Sequence, residues 1–492
     1  MNIIIKFSPE IIIKSKSVRI FFIKVLVKNI QIILKKHNIL VAVVRYWDYL
    51  EIKCEDSSYL KISKVLVNVP GIHHFLYVQD STVFSLEDIY HQIMLANCCS
   101  RLSGKTFCVR VKRYGNHIVT SQDIERYLGN KINCVIQNVR VNLINPDKII
   151  YLEIKNNRLF IIVKRYKGLG GFPIGTQREC LSLVSGGFDS VVSSYMLIRR
   201  GCKVHYCFFN LIGDINHTIE VYKIVYYLWK KFSYSHNVKF ICVNFSHVVK
   251  ELFVKIQPNY VGIVLKRLMI QAASSIATCR NIQVLSTGEV LGQVSSQTLD
   301  NLILINNMVS FNCMILRPLI AYDKESIIEL SRKIGTEALS RTIPEFCGMI
   351  VKKSSTKVSK KHIEWEESFL NSLIFQKTID QAHIINVYDI SKFISNQRSC
   401  FFDIETKTKL DSQDIILDIR TDYEQKKNPI HVPCNVQVQK IPFYNLIECF
   451  PNLDQSKVYV LYCDYGVMSR LQAVHLYQQG FRNVKVYRLI SN

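Results

Sequence analysis

Residues 180–200 read CLSLVSGGFDSVVSSYMLIRR, from Cys180 to Arg200, and the fold turns on this stretch. Leu181, Leu183 and Val184 form the apolar run of a buried strand, and Gly186 and Gly187 follow. Val192, Tyr195, Met196 and Ile198 then recur at helical spacing, predicting a helix that begins near Asp189. A strand, a tight turn and a helix N-terminus bring unpaired backbone N–H groups and the positive end of a helix dipole to one point. Such a point suits phosphate, and glycines let an anion approach the backbone. An ordinary βα turn is the competing account, since Gly and Ser are frequent in any turn.

The centre of the stretch, Ser185-Gly186-Gly187-Phe188-Asp189-Ser190, is S-G-G-x-D-S rather than the G-x-x-x-x-G-K-[ST] of Walker ATPases, and its loop has no lysine. It resembles the PP-loop of ATP pyrophosphatases. The resemblance implies cleavage of ATP to AMP and pyrophosphate so that a substrate oxygen is adenylated. It leaves the substrate to the rest of the chain.

Downstream, apolar runs at 181–184, 203–209, 239–244 and 283–287 alternate with helical patterns near 189–200, 216–233 and 262–280. That βα order predicts a doubly wound parallel sheet with its ligand at the carboxyl ends of the strands. Ser286-Thr287-Gly288-Glu289 stands at such an end, followed by Gly292-Gln293-Val294-Ser295-Ser296-Gln297-Thr298, and Lys266 lies on the preceding helix. Lys324, in Tyr322-Asp-Lys-Glu, is a further cation available to stabilise phosphate charge.

Upstream, Gly168-Leu-Gly-Gly-Phe-Pro-Ile-Gly-Thr-Gln177 is a glycine-rich connector and a domain boundary. Before it, 1–60 reads as a small α/β unit, with Ile20, Ile23, Val27, Ile30 and Leu34 on one helix face. A second α/β unit, 61–167, contains Phe107-Cys-Val-Arg-Val-Lys-Arg113, whose alternation turns Arg110 and Lys112 outward. Ser121 is positioned to cap the helix that follows.

The 492 residues hold 63 Lys and Arg against 39 Asp and Glu. Within 1–175 the balance is 26 to 12. A polyanion such as nucleic acid accounts for this excess; drift toward lysine in a chain rich in Ile and Asn accounts for it equally well. The apolar fraction of 48% excludes a disordered protein. No uncharged apolar run reaches the ~18 residues of a membrane span, and the N-terminus lacks a signal-peptide core, so a cytoplasmic enzyme without a membrane partner is expected.

The 16 cysteines are scattered, with no C-x-x-C pair, and read mostly as reduced core residues. Cys463 differs by position: it ends the apolar run Val458–Tyr462, and Asp464-Tyr-Gly-Val-Met468 and a helix beginning at Ser469-Arg470 follow. Helix-terminal N–H groups there favour an anionic sulfur. Cys347, in Arg341-Thr-Ile-Pro-Glu-Phe-Cys-Gly348, lies on an irregular segment and is the second candidate, a buried structural thiol being the alternative.

The V-R-V-K-R strand resembles the THUMP domain of RNA-modifying enzymes, which implies that Arg110, Lys112 and Arg113 meet tRNA phosphates. The C-terminal segment resembles a rhodanese domain, with Asp418 and Arg420 matching its D-x-R. In chain order, GLGGFPIGTQ, SGGFDS, STGEVLGQVSSQT, PEFCG and YCDYGVMSRLQ resemble the long form of the 4-thiouridine synthase family, and the likeness spans the chain. It implies a multidomain α/β protein: a ferredoxin-like unit (1–60), THUMP (61–167), a PP-loop ATP pyrophosphatase domain (175–350), a connecting segment (351–404) and a rhodanese domain (405–492).

It also implies that Leu183, Val184, Ser185, Gly186, Gly187, Asp189, Ser190, Lys266, Gly288 and Gln297 bind ATP, with Asp189 a candidate oxygen ligand for Mg²⁺ and no permanently bound metal. A cysteine desulfurase would load sulfur onto Cys463, and the terminal sulfur of that persulfide, directly or as released sulfide, would replace the activated C4 oxygen of uridine 8 in tRNA. Cys347 would then pair with Cys463 in a disulfide that a reductant reopens. The family's rhodanese unit also serves thiazole synthesis for thiamine through a small carrier protein. Two readings compete: an amide-forming PP-loop synthetase, which leaves Cys463 unexplained, and an RNA-binding protein with a decayed site, which leaves SGGFDS unexplained.

Overall fold

A computed structural model describes residues 1–96, 102–115, 119–310, 313–343, 355–396, 404–411, 413–464 and 466–488. The chain forms two compact units, one built on Met1–Gln177 and the other on Arg178–Leu197, Lys203–Lys230 and Asn237–Asn492.

The first unit contains one mixed sheet. Its strands are β1 (Asn2–Phe7), β2 (Val43–Arg45), β3 (Tyr49–Lys53), β4 (Ile72–Thr82), β5 (Thr106–Tyr114), β6 (Arg140–Val141), β7 (Lys148–Lys155) and β8 (Arg158–Lys167). They lie in the order β2-β3-β1-β4-β8-β7-β5-β6. The division expected at residue 60 therefore falls short of β4, which pairs antiparallel with β1 on one side and β8 on the other. On one face Ile3, Ile5 and Phe75 pack with Ile23, Leu26 and Ile30 of helix Lys16–Lys36. On the other, Ile4, Tyr49, Leu76, Val78 and Phe160 are also buried. Long cationic side chains lie over its rings: Lys155 Nζ is 3.9 Å from the Tyr49 centroid and Arg158 4.9 Å from that of Phe160. Their methylene stems cover apolar surface while their charged heads pair with acids.

The second unit carries two sheets. One contains β9 (Cys180–Leu183), β10 (Val204–Asn210), β11 (Lys239–Asn244), β12 (Val284–Ser286), β13 (Met314–Leu316) and β14 (His383–Asn386), ordered β13-β12-β9-β10-β11-β14. All pairings are parallel except β11 with β14. β10 is buried at every position, as the mainly apolar run VHYCFFN requires of a strand covered on both faces. Helix Val261–Thr278 is long and apolar enough to cross a membrane by length and composition, but 72% of that window is buried in the fold, where it is a core helix.

The chain leaves β9 toward β10 and β11, then returns to place β12 on β9's other side. That reversal opens a crevice at the carboxyl ends of β9 and β12. The segment 351–404, expected to be connecting material, instead contributes helices Lys360–Glu367, Ser372–Asp380 and Ile390–Asn396 and the edge strand β14. Its scattered apolar residues carry too weak a period to be read without the surface they pack on.

The other sheet, all parallel, is β15 (Thr406–Lys407), β16 (Ile415–Asp418), β17 (Gln437–Lys440), β18 (Tyr459–Tyr462) and β19 (Val484–Tyr487), ordered β15-β19-β18-β16-β17.

Candidate active site

β9 ends at Leu183, and the helix beginning at Phe188 follows after four residues. Gly186 adopts φ +85°, a region that costs an ordinary L-residue strain, and a Cβ there would stand 2.5 Å from Ile343 Cδ1. The loop is tied by its own serines. Ser185 N–H donates to Ser190 Oγ (3.2 Å), whose hydroxyl donates to Gly187 O (3.1 Å), and Gly187 N–H reaches Ser185 Oγ at 3.4 Å. The helix is buried nearly all round, with Val192 and Ile198 fully enclosed. Ser193 Oγ bonds Thr287 O (2.9 Å) and lies 3.1 Å from Ser286 Oγ, stitching the helix to the end of β12. Beyond it, a Cβ on Gly288 would stand 2.5 Å from Ser190 N and 2.6 Å from Asp189 C. Only glycine lets the segment after β12 close on the first turn of the loop helix.

A cavity of about 280 Å³ opens over this junction. Leu183, Val184, Ser185, Gly187, Asp189, Ser190, Lys266, Gly288 and Gln297, nine of the ten residues expected to bind nucleotide, line it, while Gly186 lies beneath against Ile343. Phe208, Leu265, Met269 and Ile270 supply an apolar wall. Gln297 Oε1 is buried with no hydrogen-bond partner among the described residues.

Charge is ordered at two points. Asp189 takes Lys324 Nζ at 2.8 and 3.1 Å and Gln293 Nε2 at 2.9 Å, so the separately expected Asp189 and Lys324 meet in one ion pair. Glu289 receives Arg317 Nε (2.8 Å), Thr287 Oγ1 (3.1 Å) and, on its other oxygen, Lys266 Nζ (3.4 Å). Burial works to raise the Glu289 carboxyl, but Lys266 and Arg317 outweigh it and hold the group below the ordinary glutamate range. Glu289 thereby fixes the ammonium of Lys266 at the cavity wall. His217 also lines the cavity, its Nε2 3.4 Å from Ser185 O and its ring edge-on to Phe208. Burial pushes its imidazole down to about 4, so it is neutral at pH 7. Arg317 was readable as a charge closing the apolar run Met314–Leu316; His217 had no local signal. Among the described residues no cluster of three or more His, Cys, Asp or Glu is arranged to hold a metal. Asp189 is a hard oxygen donor in the cavity lining at the loop.

The second centre is Cys463, at the carboxyl end of β18. Gly466 (φ +71°) caps helix Val467–Gln478, and the backbone N–H of Ser469, the third helical residue, donates to Cys463 Sγ at 3.3 Å. The sulfur is thus addressed by a helix-terminal amide that has no partner within its helix. Arg420, almost wholly buried, grips Asp418 through Nε (2.9 Å) and Nη2 (2.7 Å) and reaches Asp464, next to the cysteine, at 2.8 Å. Burial opposes the guanidinium's charge, but the two aspartates raise its pKa above the ordinary arginine value. Cys347 lies outside the described residues.

In the first unit Lys112 is exposed, whereas Arg110 donates to Leu143 O (2.7 Å) and pairs with Glu125, and Arg113 Nε donates to Ser121 Oγ (3.1 Å). The cap of the following helix is Thr120 rather than Ser121: its hydroxyl accepts from Asp123 N–H while Asp123 returns to Thr120 N–H. Ser121 is already helical, so its side chain is directed away from the terminal amides.

Residues 2–75 match a "ThiI ferredoxin-like domain", 84–164 a "THUMP domain", 175–372 "Thiamine biosynthesis protein (ThiI)" and 404–489 a "Rhodanese-like domain". A tRNA sulfurtransferase of Blochmanniella pennsylvanica is 58% identical over 489 residues, covering 99% of both chains. One from Sodalis glossinidius is 50% identical, covering 99% of this chain and all of its own, and one from Escherichia coli 49% over the same shares. A crystal structure described as a 4-thiouridine synthetase–RNA complex with bound ATP superposes with a TM-score of 0.67 at 24% identity, covering 78% of this chain and 99% of its own. PH1313 from Pyrococcus horikoshii superposes at 0.53 and 21% identity, covering 68% of this chain and all of its own. At these identities the structural matches speak to the fold, and the near full-length relatives speak to the family. The chain belongs to the tRNA sulfurtransferase family, as an enzyme with ferredoxin-like, THUMP, PP-loop and rhodanese parts.

Proposed function

We propose that the enzyme makes 4-thiouridine at position 8 of tRNA by adenylating the C4 oxygen of uridine and replacing it with sulfur carried on Cys463. The observation that supports this reading is the presence, in one chain, of an anion-suited loop cavity and a cysteine whose sulfur is met by a helix-terminal N–H. The relative whose structure was solved with RNA and ATP adds the ligand classes.

In this reading the amides and hydroxyls of Ser185–Ser190 hold the pyrophosphate end of ATP, and the wall at Leu183, Val184, Met269 and Ile270 holds the base. Lys266, steadied by Glu289, and Lys324 offset charge that develops as the uridine oxygen attacks the α-phosphorus and pyrophosphate leaves. Gly288 and Gln297 complete the nucleotide site. When bound, magnesium neutralises phosphate charge, and Asp189 is the side chain to hold it.

A cysteine desulfurase supplies sulfane sulfur to Cys463. The terminal sulfur attacks C4, and AMP leaves with the former uridine oxygen. Cys347 thiolate then attacks Cys463 Sγ, releasing the thiouridine sulfur and forming a Cys347–Cys463 disulfide. Two electrons from a dithiol reductant restore both thiols. Arg110, Lys112 and Arg113 serve tRNA phosphates. The family description as a thiamine biosynthesis protein supports a second outlet, from Cys463 to a small sulfur-carrier protein.

Mass spectrometry of nucleosides from tRNA incubated with the enzyme, ATP, cysteine and a desulfurase tests the main reading. Cys463→Ala should abolish 4-thiouridine yet keep tRNA-dependent pyrophosphate release, and Asp189→Ala should lose both. Normal thiolation by Cys463→Ala would overturn it.

A further inference from the structure

Cys463 stands at the end of β18 in the last sheet, and the nucleotide cavity lies in the sheet before it. Within the second unit these two sheets share a continuous apolar cluster, in which Phe245, Val249 and Leu252 join Phe443, Leu446 and Leu476. The contact has a definite seat. Phe253, on helix Ser246–Lys255, stacks on Tyr444 (centroids 5.5 Å apart, planes at 3°) and meets Phe443 edge-on (5.3 Å, 81°). Both partners lie on helix Phe443–Cys449, and from that helix Glu448 reaches Lys250 Nζ at 2.5 Å.

A second point of contact lies closer to the cavity. A Cβ on Gly213 would stand 4.0 Å from His475 Cε1, and His475 belongs to the helix whose N-terminus addresses Cys463. Gly213 and Asp214 form the turn after β10, from which Phe208, Phe209 and Leu211 line the cavity. Asn210 Nδ2 donates to Asp214 O (2.9 Å), tying the turn to the strand. Burial here raises the Asp214 carboxyl and lowers the His475 imidazole, so both shift toward their neutral forms, as a desolvated contact favours. From His475 back to Ser469 the helix climbs six residues, roughly 9 Å at 1.5 Å per residue. The cysteine loop is thereby held about two helical turns from the turn that ends the cavity wall.

We propose that the C-terminal sheet works from a docked position rather than as a freely tethered carrier. Its seat is helix Ser246–Lys255 with the Gly213–Asp214 turn, and seating governs the passage of sulfur from Cys463 to tRNA but not the charging of Cys463. This rests on the reading of Cys463 as the sulfur carrier.

The test uses the full chain, with three readouts: 4-thiouridine per tRNA, persulfide on Cys463 after treatment with a desulfurase and cysteine, and tRNA-dependent pyrophosphate release. Phe253→Ala should lower thiolation about tenfold, the loss of two aromatic contacts, with persulfide loading and pyrophosphate release at the parental level. Lys250→Glu should lower thiolation by roughly threefold, as suits an exposed ion pair, and Lys250→Glu with Glu448→Lys should regain it. Unaltered thiolation in Phe253→Ala, or an equal fall in persulfide loading, would overturn the docking proposal. Cys463→Ala that still thiolates tRNA would instead overturn the carrier reading, so the two failures are distinguishable.

Discussion

At the scale of single residues the PP-loop depends on atoms that are missing as much as on those present. Gly288 faces the backbone of Asp189 and Ser190, not a movable side chain, at 2.5–2.8 Å. Gly288→Ala should therefore push the loop helix off β12 and reduce tRNA-dependent pyrophosphate release at least a hundredfold, at the scale of lost catalytic positioning; a tenfold or smaller fall would show that the loop can yield. His217 lends itself to a pH test. Its ordinary value of 6.5 falls to about 4 in the fold. Above pH 6.5 neither state is protonated and the burial has no pH-linked cost. As pH falls from 6.5 toward 4 the unfolded chain binds a proton that the folded chain refuses, so stability declines by up to roughly 3 kcal/mol. The Tm of His217→Gln, relative to the parent, should rise over that window and be flat above it; a pH-independent difference would contradict the assignment.

Among elements, helix Ser121–Val135 shows how local chemistry sets a boundary. Thr120 and Asp123 cap it reciprocally, so Thr120→Ala should cost about 1 kcal/mol in thermal unfolding. Ser121→Ala, which forfeits one bond from Arg113, should cost under ~0.5 kcal/mol. Equal losses would return the cap to Ser121. Helix Phe188–Arg199 was legible from its apolar spacing, yet Ser190, Ser193 and Ser194 are as buried as its hydrophobes. Their hydroxyls satisfy loop and strand partners, which periodicity does not register. Strand β14 went unread because its place is an edge pairing with β11, and HIIN carries no two-residue alternation to announce it.

For the whole molecule, the proposed function separates tRNA holding from chemistry. Lys112 is exposed, while Arg110 and Arg113 are engaged by Leu143 O, Glu125 and Ser121. Lys112→Ala should weaken tRNA binding, reduce the salt slope of binding by about one and leave persulfide loading on Cys463 unchanged. An unaltered salt slope would remove Lys112 from the phosphate contacts.

The amino-acid sequence by itself determined the alternation of strands and helices around SGGFDS, the glycines at the strand ends and the position of Cys463 before a helix. Each of these is a local signal: apolar period, turn residues, a charged or reactive group at the end of a run. Tertiary structure alone decided that Asp189 pairs with Lys324, 135 residues away, that Glu289 bridges Lys266 and Arg317, and that Phe253 is clasped by Phe443 and Tyr444. Ion pairs and ring contacts between distant segments depend on which strand ends the sheet order brings together, and side-chain chemistry at one position does not encode its neighbours across a crevice.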